Sequence, residues 1–211
     1  MLARLTLATA LFACPTLALA APDSPAPAPA PSGRYEQDGA HTSVTWRIDH
    51  FGLSRYTARF VGAKARLDWN RDDPARSTLA VEIDPRQVRT DFPVPEVEDF
   101  DAKIGSGADF LAGSPIGFLS ERIVVEGENA GRVFGQLTLR GKTRPAVMEV
   151  TFNGSMAEHP IEKIAKLGFS GHMRIKRSDW GLTFALPALG DEVDIAIETE
   201  FRPEATPPAA K

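Results

Sequence analysis

Cysteine is almost missing from this sequence. Cys14 is the one cysteine among 211 residues, so no intrachain disulfide can form. Histidine is scarce as well: His41, His50, His159 and His172. There is no His-x-x-x-His, no Glu-x-x-His and no set of cysteine ligands, and the odd spacing of His41 and His50 puts them on opposite faces of a regular strand. The expectation is therefore no zinc or iron site. Gly141-Lys142-Thr143 imitates the end of a phosphate-binding loop, but Gln136 stands where that loop needs its first glycine. No nucleophile-elbow pattern surrounds Ser178. A basic excess is lacking too: the net charge is −4, which argues against a nucleic-acid partner. No internal repeat of solenoid length is found.

Long apolar runs are also absent. Leu5 to Leu17 is mostly apolar but short for a bilayer span, and Pro15 interrupts it. Arg4 precedes it and Ala18-Leu19-Ala20 follows with a small-x-small shape, so residues 1–20 read as a cleaved export signal. Leu11-Phe12-Ala13-Cys14 loosely resembles a lipoprotein box; Phe12 fits it poorly, and the expectation is that Cys14 leaves with the signal. Residues 21–33 carry proline at 22, 25, 27, 29 and 31 and read as an extended linker. The folded domain is expected over 34–202, with a disordered tail at 203–211.

What is present is alternation. Residues 132–152 hold two period-two segments around a polar turn: Val133, Gly135, Leu137 and Leu139 share one face, then Met148, Val150 and Phe152. Gly141 and Pro145 between them predict a hairpin with a slightly long loop. Val44, Trp46 and Ile48 alternate in a strand from His41 to Phe51. Tyr56 to Trp69 is a second extended segment whose phase shifts at Val61-Gly62, as a β-bulge would shift it. Leu79, Val81 and Ile83 mark a third strand. The segment from Pro85 to Gly113 is irregular, with one or two helical turns around Glu96 to Lys103. Strands resume at Ile116–Glu126. Asn153-Gly154 signals a turn. Further strands run over Ala165–Arg177 and Val193–Phe201. About eight strands with little helix predict an all-β antiparallel barrel or sandwich. An eight-stranded closed sheet is filled by side chains or holds one small ligand, and Ala63, Ala65, Gly135 and Gly171 leave axial room.

The pieces along the domain resemble the YceI-like family of exported bacterial lipid-binding proteins. His41-Thr42-Ser43-Val44 with His50-Phe51-Gly52 is similar to its opening strand, and Val88-Arg89-Thr90 with Ile104, Ser106 and Asp109-Phe110-Leu111 to its helical region. Pro115-Ile116-Gly117-Phe118 with Ser120 is similar to its next strand, and Gly135-Gln136-Leu137-Thr138-Leu139-Arg140-Gly141-Lys142-Thr143 with Pro145 to its hairpin. Arg177-Ser178-Asp179-Trp180-Gly181-Leu182 resembles its late signature. The resemblance implies an elongated eight-stranded antiparallel lipocalin-like barrel with one or two short helices, located in the periplasm, whose apolar tunnel takes a polyisoprenoid lipid such as a prenyl phosphate or isoprenoid quinone. It implies no required cofactor and no catalysis, and it allows a peripheral membrane encounter; monomer and homodimer stay open.

On that reading the tunnel wall comprises Trp46, Ile48, Phe60, Ala65, Leu67, Val81, Phe118, Phe134, Leu137, Phe152, Phe169 and Trp180. For any single aromatic among them a closed core is the default. His50 either meets a ligand head group or ties down a loop. Arg177 and Asp179, in phase with Met173 and Ile175, either meet a head group or brace the loop before Gly181; an unpaired inward charge is costly, so each needs a partner. Two rivals stand: a solid-cored sandwich serving as a ligand-free envelope interaction module, and an enzyme acting on a bound lipid, for which no acid–base pair emerges. If the tunnel is hollow, Leu at Gly135 or Ala65 is expected to block uptake and leave the fold intact.

Overall fold

The computed structural model describes residues 28–205. The expected signal segment, Cys14 and most of the expected linker lie outside the described residues.

The chain is built from antiparallel strands. β1 (Gly33–His50) turns through Phe51 and Gly52, both at positive φ, into β2 (Ser54–Phe60). The chain breaks at Val61-Gly62 and continues as β3 (Ala63–Trp69). A Cβ at Gly62 would stand 2.2 Å from the Gln87 amide oxygen, so glycine lets that side chain lie against the backbone where the expected phase shift falls. β2 pairs with the outer half of β1 and β3 with its first residues, so the two form one stave with a bend. β4 (Thr78–Ile83) follows on β3, and the short β5 (Val88–Arg89) caps β2. α1 (Phe100–Ser106) starts at Asp99, whose carboxylate accepts from the Ala102 N–H at 2.9 Å, as an N-cap should. The helix thus begins later than expected and is a single short element. Then come β6 (Ile116–Glu126), β7 (Ala130–Leu139), β8 (Lys142–Met156), β9 (Lys166–Lys176) and β10 (Leu189–Pro203).

The order is β10-β9-β8-β7-β6-β4-β3-β1, and β1 pairs back onto β10, so the sheet closes. Counting β2 and β3 as one stave gives the expected eight-stranded antiparallel barrel, with no exposed edge around its circuit.

Four local expectations change. β1 starts eight residues before His41, because the register slips between Asp38 and Ser43 and hides the alternation from a period-two reading. The β7–β8 loop is not long: Arg140 and Gly141, both at positive φ, make a two-residue turn, with Leu139 paired to Lys142. Pro145 pairs with Gln136 inside the ladder; β9 joins β8 only from Glu149 onward, so the proline interrupts no second ladder. Asn153-Gly154 is a bulge within β8 rather than a turn, with the register shifting between Phe152 and Gly154. The end of the expected linker is docked: Ala30 is fully buried and donates its N–H to Ser155 Oγ at 3.1 Å, and Ala28 O accepts from the Ala157 N–H.

Candidate functional site

Alternation aims one face of every strand at the barrel axis, and that face is apolar. On β1 the inward set is Gln37, then, after the register slip, Thr42, Val44, Trp46, Ile48 and His50. On β3 it is Ala63, Ala65, Leu67 and Trp69; on β10 it is Val193, Ile195, Ile197, Thr199 and Phe201. These side chains do not meet in the middle. They enclose a cavity of about 780 Å³. From Gln37 to His50 its wall follows β1 for roughly 30–40 Å of strand.

Ten of the twelve expected wall residues lie on this cavity: Trp46, Ile48, Phe60, Ala65, Leu67, Val81, Phe118, Leu137, Phe152 and Phe169. Two do not. Phe134 faces outward, with the Arg122 guanidinium 3.9 Å over its ring; β7 alternation puts it opposite Val133 and Leu137, so parity alone excluded it. Trp180 is buried behind the wall on a 3-10 turn, Arg177–Trp180, and its indole N–H donates to Leu137 O at 3.2 Å. Gly135 also leaves the cavity. A Cβ there would stand 2.2 Å from Leu119 O, because Gly135 faces the bulge between Ser120 and Arg122 on β6. Its smallness serves the strand–strand approach, not axial room. Ala63, Ala65 and Gly171 do sit on the wall.

The expected head-group residues separate. Regular β9 ends at Lys176; Arg177 keeps its parity and still lines the cavity, but two residues on the parity fails. Asp179 is exposed and off the cavity. Arg177 is buried, and burial lowers its pKa from the usual arginine value. Its guanidinium donates to Gly190 O at 2.7 Å, Leu182 O at 2.7 Å and Leu189 O at 3.0 Å. Arg177 therefore braces the loop into β10. The carboxylate there is Asp191, at the start of β10, which accepts from the Ser178 N–H and hydroxyl. His50 lies on the wall at the barrel end formed by the β1–β2 turn, exposed, its ring edge-on to Phe51 at 4.7 Å. Its ring makes no hydrogen bond among the described residues, so nothing there ties down a loop.

A period-two reading missed three polar atoms. Gln37 Oε1, Trp46 Nε1 and Trp69 Nε1 are buried on the wall without a hydrogen-bond partner among the described residues. Gln37 lay outside every expected strand, and the two tryptophans were counted only as apolar. Outside the cavity, Asp38 and Lys166 form a buried ion pair, with Glu162 Oε1 2.9 Å and Glu200 Oε2 3.5 Å from the Lys166 ammonium. Burial opposes ionisation of Asp38, but Lys166, His41 and the Ala40 N–H outweigh it and hold the carboxyl well below the usual carboxylate range. Asp38, His41 and Glu200 are close enough to share an ion, yet the Lys166 ammonium already stands among the carboxylates.

The YceI-like domain profile matches residues 35–201. The chain belongs to the YceI-like family. Among its relatives, a UPF0312 protein of Vibrio cholerae is 29% identical over 147 residues, covering 68% of this chain and 74% of that protein. BcnA of Burkholderia cenocepacia has a similar structure, with a TM-score of 0.62 at 21% identity, covering 81% of this chain and 99% of that one. A polyisoprenoid-binding domain from Saccharophagus degradans, implicated in plant cell wall breakdown, matches with a TM-score of 0.55 at 12% identity, covering 82% and 99%. In this YceI-like chain the hairpin signature is β7–β8 with Gly135 under the bulge. The late signature is the Arg177 brace and the buried Trp180, whose indole N–H donates to Leu137 O.

Proposed function

We propose that this protein is a periplasmic carrier that shields a polyisoprenoid lipid, a prenyl phosphate or an isoprenoid quinone, inside the barrel. One observation carries the reading: a cavity of about 780 Å³, elongated along the strands and walled mainly by apolar side chains. Each five-carbon prenyl unit buried there is worth about 4 kcal/mol before ordering costs, at about 0.8 per CH₂. A few units therefore suffice for tight binding with no catalytic group. The Saccharophagus domain, described as polyisoprenoid-binding, supports the ligand class. A solid-cored module does not suit a hollow centre. His50, the histidine on the described wall, has no carboxylate or hydroxyl hydrogen-bond partner among the described residues.

Exchange is proposed to occur at the His50 end. Phe51, Leu53 and Phe184 are exposed apolar residues there, and Phe51 and Phe184 also line the cavity. An apolar rim continuous with an apolar cavity suits docking on a bilayer, where the lipid is dissolved. Organic extraction of the purified exported protein followed by mass spectrometry tests the carrier reading. A co-purifying prenyl lipid is expected. Protein that emerges empty and takes up no prenyl lipid from vesicles would refute it.

A further inference from the structure

The end of the cavity opposite His50 is built to recognise a polar group. Trp69 is more than nine-tenths buried, and its indole N–H points to no partner among the described residues. Its ring stacks on Phe152 at 5.6 Å and meets Phe169 edge-on at 5.9 Å. Gln37 lines the same half of the cavity from β1. It pairs with Phe201 across β1 and β10, and the Phe201 ring packs edge-on against Phe169 at 5.9 Å. The aromatic box of Trp69, Phe152, Phe169 and Phe201 thus lies beside two polar atoms without a partner among the described residues, Trp69 Nε1 and Gln37 Oε1, on a wall that also carries the hydroxyls of Ser77, Ser155 and Thr199. A buried polar atom left unpaired costs free energy that a ligand can return.

The chemistry of the two groups narrows the ligand. An indole N–H only donates, so the ligand must present an acceptor oxygen; a glutamine amide rotates to meet either a donor or an acceptor. A phosphate does not suit this end. On the outer side of β1, next to Gln37, the carboxylates of Asp38, Glu162 and Glu200 outnumber the single ammonium of Lys166. Arg71, the cation on the wall here, is exposed and paired with Asp72 at 3.0 Å. A buried anion without its own cation is heavily penalised.

We propose that Trp69 and Gln37 form a deep subsite for the uncharged, oxygen-bearing head of a prenyl lipid, such as a quinone ring, which enters head first with its tail running toward His50. This deepens the carrier reading and rests on it. The test compares, by titration calorimetry on the exported full-length protein, three probes with one tail: a prenylated benzoquinone, the prenyl hydrocarbon and the prenyl phosphate. Trp69→Phe keeps an aromatic ring but removes the N–H together with the five-membered part of the indole; Gln37→Leu removes the amide without touching the aromatic box. Each is expected to weaken quinone binding about 5- to 30-fold more than hydrocarbon binding, the equivalent of one buried hydrogen bond. Phe134→Leu, on the outer face of β7 and off the cavity, is expected to change neither.

Equal losses for quinone and hydrocarbon, or no loss in either subsite variant, would overturn the subsite. So would an equal quinone loss in Phe134→Leu, or a wild type that prefers the phosphate. A wild type that binds none of the three probes overturns the carrier reading with it. Binding of all three with no discrimination between head groups overturns the subsite only.

Discussion

Ala65→Leu separates a hollow barrel from a filled one. Ala65 is on β3, between Ala63 and Leu67 on the cavity wall. Leucine there adds three carbons that project into the space a ligand would use. If they displace three ligand carbons, binding loses about 2.4 kcal/mol at about 0.8 per CH₂, or roughly 60-fold in Kd. The fold is expected to stay within about 1 kcal/mol of wild type, since the new side chain enters open volume. Gly135→Ala is the matched control. Its added Cβ meets Leu119 O at 2.2 Å, a backbone atom, so the β6–β7 pair must part. Such overpacking is expected to cost about 1–3 kcal/mol and to leave the affinity of the folded fraction unchanged. Urea unfolding gives the stabilities, and titration with a prenylated benzoquinone gives the affinities. Wild-type affinity in Ala65→Leu would refute the hollow as the binding site. A stable Gly135→Ala protein with lost affinity would refute the assignment of Gly135 to strand packing.

Three further outcomes follow from the geometry. Asp38→Asn leaves Lys166 buried with only its more distant carboxylates, and is expected to cost about 2–4 kcal/mol at pH 7. Because the folded-state pKa of Asp38 is depressed, its contribution is present above about pH 4 and fades as pH falls below that. The gap between wild type and variant should therefore narrow from pH 7 to pH 3 in urea titrations; a constant gap counts against the ion pair. The pKa of His41 is raised, mainly by its hydrogen bond to Asp38, so its own contribution runs the other way and is lost as pH rises above about 6.5. Arg177→Met removes three hydrogen bonds to backbone carbonyls and is expected to lower stability by about 2–5 kcal/mol. The lipid affinity of the folded fraction should persist, and its selective loss would return Arg177 to a head-group role. Leu53→Asp on the exposed β1–β2 turn is expected to slow lipid transfer from vesicles with an unchanged equilibrium Kd; unchanged transfer rates would exclude that rim as the docking surface.

Much of the barrel was legible because a strand writes its burial into alternate residues. Val44-Trp46-Ile48, Leu79-Val81-Ile83 and Val193-Ile195-Ile197 could be phased by eye, and their parity puts each on the cavity wall. Phe134 was misassigned although the same parity places it outside. Other errors fall where alternation is interrupted. The slip between Asp38 and Ser43 hid half of β1 and with it Gln37. The switch from strand to 3-10 turn at Arg177 moved Asp179 out to solvent and spent the guanidinium on carbonyls.

The sequence by itself determined the strand count, the faces and the apolar character of the wall, because each depends on neighbours one or two residues away. Only the tertiary structure decided that the wall encloses a hollow, that Gly135 yields to a bulge on another strand, and that two indoles and an amide face inward without a partner among the described residues. Those facts depend on which distant strands meet across the barrel and how closely. A local pattern carries no measure of that distance.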